Sequence, residues 1–265
     1  MLPIKKIYID SRFKSSDSAS HSDFKIDLPI IFLMPEDTGF YIDDVCIPHT
    51  WYPISERNNL FAFKYADTDY FAYVPVGTYS TATLGEGIAA AILKVTNNIV
   101  RFDVTYDPVK NNLTIGLIST LQATQAFKIY TDEELKLIAP SLVGRSMNTM
   151  LKNTVPKEYD NTNHVTGYID IYPMRNLYMT ASGLGNFNTM SVAGDRNIVK
   201  KIPVTSPDGE MIFDQTVTGM DYLDCSRQTL SRLSFQLRDV FGTVLELNGN
   251  HISFSIVSSR VQDGS

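Results

Sequence analysis

Alternation of apolar and polar positions dominates this chain and is clearest at its two ends. Ile4-Lys5-Lys6-Ile7-Tyr8-Ile9 and Phe24-Lys25-Ile26-Asp27-Leu28 have the period of two expected of strands with one buried face. The serine- and aspartate-rich stretch Ser11 to Ser22 between them reads as an exposed loop or the hinge of an N-terminal arm. Phe40 to Ile47 is a further strand, closed by Pro48, and a loop follows through Trp51, Pro53 and Asn58-Asn59. Toward the C-terminus Leu233, Phe235 and Leu237 alternate with polar partners, Val244 to Leu247 follows a turn, and Ile252, Phe254 and Ile256 alternate with Ser253 and Ser255 beyond Asn248-Gly249-Asn250. Tyr168 to Tyr172, Leu177 to Thr180, Ile198 to Val204 and Met211 to Phe213 are shorter candidate strands.

The middle of the chain has another character. Leu60 to Tyr65 and Tyr70 to Val76 form a hairpin pattern, and Leu84, Ile88, Ala91, Ile92 and Val95 then recur at helical spacing behind a capping box expected at Thr83 and Glu86. Strands at Phe102 to Tyr106, Leu113 to Leu117 and Phe127 to Tyr130 lead into a second box, Thr131 with Glu134, and a short helix ending before Pro140. This ββαβββα run predicts a local α+β unit, and the mostly polar stretch 150–163 predicts its boundary.

Composition narrows the function. With 23 basic and 29 acidic side chains in 265 residues the net charge is −6, which disfavours nucleic acid as the main partner, because neutralising phosphates needs a basic surplus. No apolar run approaches the roughly 20 residues of a membrane span, and the first residues lack a secretory signal, so synthesis in a reducing cytoplasm is expected. Cys46 and Cys225 are too few for a disulfide framework or a four-ligand zinc site and read as buried thiols. His21, His49, His164 and His251 show no metal-ligand spacing, and there is no nucleophile elbow or phosphate-binding loop. Gly183-Leu184-Gly185-Asn186 reads as a turn, and Asp43 and Asp44 are expected to point to opposite faces of their strand. Neither a cofactor nor an enzymatic activity is expected.

Three blocks carry a family resemblance. They are Tyr8-Ile9-Asp10-Ser11-Arg12 with Ser22-Asp23-Phe24 and Ile47-Pro48-His49-Thr50-Trp51-Tyr52 ahead of Asn58-Asn59; Pro75-Val76-Gly77-Thr78-Tyr79 before the helix; and Leu233 to Asp239 with Gly242, Leu245, Gly249 and Ile252 to Phe254. In this order they resemble the penton (minor capsid) proteins of Polinton-type elements, adintoviruses and virophages. The resemblance implies a mainly β fold, a single jelly-roll β-sandwich formed by 1–59 and 160–265, with a smaller α+β domain, 60–159, inserted. It also implies a structural virion protein: a homo-pentameric capsomer at the fivefold vertices of an icosahedral double-stranded DNA virus or virus-like element, partnered by a double-jelly-roll major capsid protein and located in the virion. The other function class is a jelly-roll receptor- or glycan-binding module on a virion surface.

Assembly residues follow from exposure arguments. His49, Trp51 and Tyr52 lie in a loop, either at a subunit interface, where such aromatics are enriched, or with Trp51 plugging one end of the sandwich. The segment bearing Lys5, Lys6 and Arg12 is either a strand added to a neighbouring capsomer or the first strand of its own sheet. With Lys14 these cations form a secondary candidate face toward packaged DNA. Tyr65, Tyr70, Tyr73 and Tyr79 are candidate host-receptor contacts.

Overall fold

The computed structural model describes residues 5–118, 127–153, 163–172, 174–185, 189–191, 194, 197–218 and 221–260. In chain order the first strands are β1 (Lys5–Asp10), β2 (Asp23–Leu33), β3 (Thr38–Pro48), β4 (Leu60–Tyr65) and β5 (Thr68–Tyr73). Helix α1 (Thr81–Val95), β6 (Phe102–Asp107), β7 (Asn112–Leu117), β8 (Phe127–Ile129), α2 (Asp132–Ile138), α3 (Asn148–Leu151) and β9 (Asn163–Val165) follow. The last strands are β10 (Asn176–Ser182), β11 (Ile198–Pro203), β12 (Met211–Asp214), β13 (Leu223–Asp224), β14 (Thr229–Arg238) and β15 (Ser253–Arg260). Tyr168 to Tyr172 and Val244 to Leu247, expected as strands, carry no ladder; Val244 makes an isolated bridge to Arg238.

The chain divides into two compact units, 1–51 with 174–265, and 52–173. The expected boundaries fell at 59/60 and at 159/160, the latter outside the described residues. The observed division is later at the second boundary because Ile169 and Ile171 belong to the core of the second unit. It is earlier at the first because Ile54, fully buried in that same core, bridges to Gly77.

In the first unit one sheet runs β1-β15-β3-β12, with β13 also on β3, and the other runs β11-β10-β14-β2. All pairs are antiparallel, the first strand lies beside the last, and successive strands are distributed between two sheets, which is the jelly-roll arrangement. Inward residues of both sheets make one core: Phe24 on β2 and Phe235 on β14 are 5.6 Å apart, and Phe235 meets Phe254 of β15 edge-on at 4.9 Å across the gap between sheets. Strand β15, flanked by β1 and β3, is buried on both faces, and serines 255, 258 and 259 supply the small side chains there.

The second unit has two three-stranded sheets, β5-β4-β8 and β6-β7-β9. Phe61, Phe63, Phe102 and Phe127 stand in its mainly aliphatic core, with Phe102 edge-on to both Phe63 (5.7 Å) and Phe127 (4.9 Å). Strand β4 is buried on both faces: Phe61 and Phe63 enter that core, while Leu60 and Ala62 meet Tyr130 and Leu135 of α2 in a smaller cluster. Helix α1 starts earlier than the sequence pattern indicated. Ser80 is the N-cap, accepting from the Thr83 amide while the Thr83 hydroxyl accepts from the Ser80 amide, so a hydroxyl takes the place of the expected Glu86 carboxylate. The box at Thr131 and Glu134 forms as expected. Gly85 lets α1 approach β6 and β7, since a Cβ there would lie 3.1 Å from Val104 and Leu113.

Candidate assembly surface

The residues singled out from sequence are placed in three different environments. Trp51 is 8% exposed and belongs to the sandwich core, with the His49 ring 4.2 Å from it. His49 Nδ1 donates to the Ser206 carbonyl at 2.7 Å, and its Nε2 lies 2.9 Å from Asp208 Oδ1. Its backbone donates to Glu210 and accepts from Gly209. His49 thus holds the 206–210 turn beside Trp51, leaving Tyr52 as the exposed aromatic of the three.

Two of the candidate cations, Lys6 and Arg12, are occupied within the first unit. Strand β1 pairs with β15 from Lys5↔Ser258 to Asp10↔Ser253, so it is the outer strand of its own sheet. Lys6 Nζ donates to Asp44 Oδ2 at 2.7 Å and Asp43 Oδ2 at 3.3 Å. The two carboxylates therefore do not diverge. Asp44 has a positive φ of 51° at a bulge where the β3–β15 register shifts, and this interruption of the pleat turns both toward one ammonium. The hydrogen bond from Lys6 holds the Asp44 carboxyl below its ordinary range, and Asp44 in turn raises Lys6. Arg12 binds Asp10 through Nε and Nη2 and depresses that carboxyl. Lys5 lies 3.2 Å over the centre of the Phe32 ring. Of the four candidate DNA-facing cations, Lys6 and Arg12 are thus paired with carboxylates, while Lys5 and Lys14 have no carboxylate partner among the described residues.

Among the four tyrosines, Tyr65, Tyr70 and Tyr79 pack against the second core, Tyr70 stacking on Phe63 at 5.2 Å. Tyr79 also donates to the Pro75 carbonyl. Tyr73 is the exposed one, with the Arg145 guanidinium 4.9 Å from its ring.

Sequence reasoning missed the open edge of the sandwich. Between β14 and β2 the register jumps so that Leu28, Pro29, Ile30 and Ile31 oppose Ser231 alone. This blister carries Ile30 and Ile31 outward, 60% and 71% exposed, and Leu33 beyond it is 74% exposed. A proline inside an alternating strand marks an edge or bulge, so Pro29 was the available signal. Beside the blister a groove of about 690 Å³ runs between β1 and β2, with Ile7, Phe13, Leu28 and Phe32 as its main apolar lining. A smaller polar hollow of about 180 Å³ lies on β10 and β14 among Thr180, Ser182, Ser234, Gln236 and Arg238. Arg238 there donates to Gln236 and to the Gly242 carbonyl.

Gly183 takes φ 84° after β10, and a Cβ on Gly185 would sit 2.1 Å from the Asp224 carbonyl, so this glycine pair serves close chain packing; Asn186 lies outside the described residues. Among the described residues no group of three or more His, Cys, Asp or Glu side chains is placed to hold a metal, and no helix is long and apolar enough to cross a membrane.

No protein-family profile and no curated protein matches the chain in sequence. In three dimensions it is similar to the crystal structure of the selenomethionine-labelled mavirus penton protein, with a TM-score of 0.55 and 7% identity over 97% of this chain and 100% of that one. The likeness extends over the length of both chains, and the fold of this protein is penton-like.

Proposed function

We propose that this protein is a structural virion protein, the penton-type minor capsid subunit of an icosahedral double-stranded DNA virus or virus-like element, as in Polinton-type elements, adintoviruses and virophages. Five copies form the fivefold vertex capsomer and seat in a shell of double-jelly-roll major capsid protein. The observation that carries this reading is the penton-like fold across the whole chain, with the second unit inserted after the third sandwich strand. The pairing of Lys6 and Arg12 with carboxylates, in a chain of net charge −6, agrees with a protein–protein role over a nucleic-acid one. The mechanism is burial of complementary surface, with sheet edges covered by neighbours. The receptor- or glycan-binding alternative draws less support, since three of its four tyrosines are half-buried against the second core.

Light scattering on the purified chain, alone and mixed with a double-jelly-roll shell protein, tests the proposal. A mass of about 148 kDa, five times 29.7 kDa, or vertex incorporation into the shell is expected. A monomer that also fails to co-assemble refutes it.

A further inference from the structure

The two outer strands of one sandwich sheet differ in a complementary way. In the order β1-β15-β3-β12, β1 borders the apolar groove at one end and β12 forms the other end. Neither has a second strand partner among the described residues. On β12 Met211 and Phe213, two apart and so on one face, are both exposed, Phe213 at 67%.

Charge separates the two ends as well. In the groove Lys6 is neutralised by Asp43 and Asp44, and Arg12 beyond it by Asp10. Lys5 has only the Phe32 ring; no carboxylate partner is present among the described residues. At the other end the exposed Glu210, adjoining Met211, has no cation partner among the described residues.

We infer that β12 of a second copy docks at the β1–β2 edge, with Phe213 and Met211 entering the groove between Ile7, Phe13, Leu28 and Phe32 and Glu210 meeting Lys5. This rests on the vertex reading and names its subunit contact. Two different surfaces at opposite ends of one sheet make a heterologous joint, the kind that closes into a ring when the rotation between copies fits. A hydrophobic centre carries the contact, and the Lys5–Glu210 pair at its border selects partner and register. Because the groove's other charges are already paired, covering it strands no ion.

A benzophenone amino acid in place of Phe213 tests this in the full chain, with ¹⁵N-labelled and unlabelled copies mixed, alone and with the shell protein. Mixed-isotope cross-links from position 213 into residues 5–33 are expected. Glu210→Lys should raise the concentration needed for assembly about tenfold, and Lys5→Glu added to it should restore assembly. Rings or shells whose cross-links from position 213 fall elsewhere, including onto the shell protein, overturn the joint and leave the vertex reading standing. So does assembly indifferent to Glu210→Lys. A chain that neither oligomerises nor enters a shell overturns both.

Discussion

Phe235 ties the two sandwich sheets together, and its removal has a calculable cost. It is fully buried, paired across strands with Phe24 at 5.6 Å and meeting Phe254 of the opposite sheet edge-on at 4.9 Å. Truncating such a phenylalanine to alanine forfeits its transfer free energy and opens a cavity, about 3–5 kcal/mol together. The edge-on contact with Phe254 adds a coupling of about 0.5–1.5 kcal/mol that appears only in a double-mutant cycle. The only tryptophan, Trp51, lies in this same core, so its fluorescence during urea unfolding reports the sandwich. With a urea slope of about 2 kcal/mol per M, Phe235→Ala should lower the midpoint by about 1.5–2.5 M. Phe235→Ala combined with Phe254→Ala should cost less than the two single changes added together. A shift under about 0.5 M, about 1 kcal/mol at that slope, or strict additivity, would refute the packing of β14 against β15 argued above.

Other consequences are checked more simply. Ser80→Ala should destabilise the second unit by about 1 kcal/mol while Glu86→Ala leaves it unchanged, in thermal unfolding followed by far-ultraviolet circular dichroism, because the α1 cap is Ser80 with Thr83. Asp44 has a lowered folded-state pKa, so its contribution is present above the ordinary carboxylate value of 3.8 and is lost as pH falls through the folded-state value. Lys6→Met should therefore flatten the acid limb of stability against pH, by less than about 1 kcal/mol since the pair is partly exposed. Burial pushes the Cys225 thiol up to about 12, and at pH 8 it should stay silent to Ellman's reagent until the protein is unfolded. Ile31→Lys should change the unfolding free energy by no more than about 0.5 kcal/mol while reducing self-association in sedimentation velocity, because the blister is solvent-exposed in the single chain.

What could be read in the sequence was what a period reveals. Alternation in Phe24 to Leu28 and Leu233 to Leu237 located β2 and β14, and the Thr131–Glu134 pair located the start of α2. Features that break a period were hidden. The positive φ at Asp44 is an event of the β3–β15 ladder, and nothing in the local sequence announces that two adjacent carboxylates will face one lysine. The same holds for serines 255, 258 and 259, which look solvated by composition and are buried because β15 is flanked on both sides. Tyr65, Tyr70 and Tyr79 were candidate receptor contacts, and only the closure of the second core around Phe63 showed them half-buried against it. The apolar stretch from Leu28 to Met34 was visible, but its role as an exposed blister depends on its register against Ser231.

The pairing of β1 with β15 fixes an order of events during synthesis. Lys5 finds its ladder partner in Ser258, so β1 must wait for β15, and closing a loop over that separation costs more entropy than the ladders of the inserted unit do. The ladders of the inserted unit join positions that leave the ribosome closer together, such as Phe102 with Leu117. That unit can order while β1, β2 and β3 are still unpaired and the Ile30–Ile31 blister stands beside open edges. Nascent chains of this protein consequently carry their greatest risk of intermolecular strand pairing between the emergence of β3 and the release of β15, and chaperone dependence should concentrate in that interval.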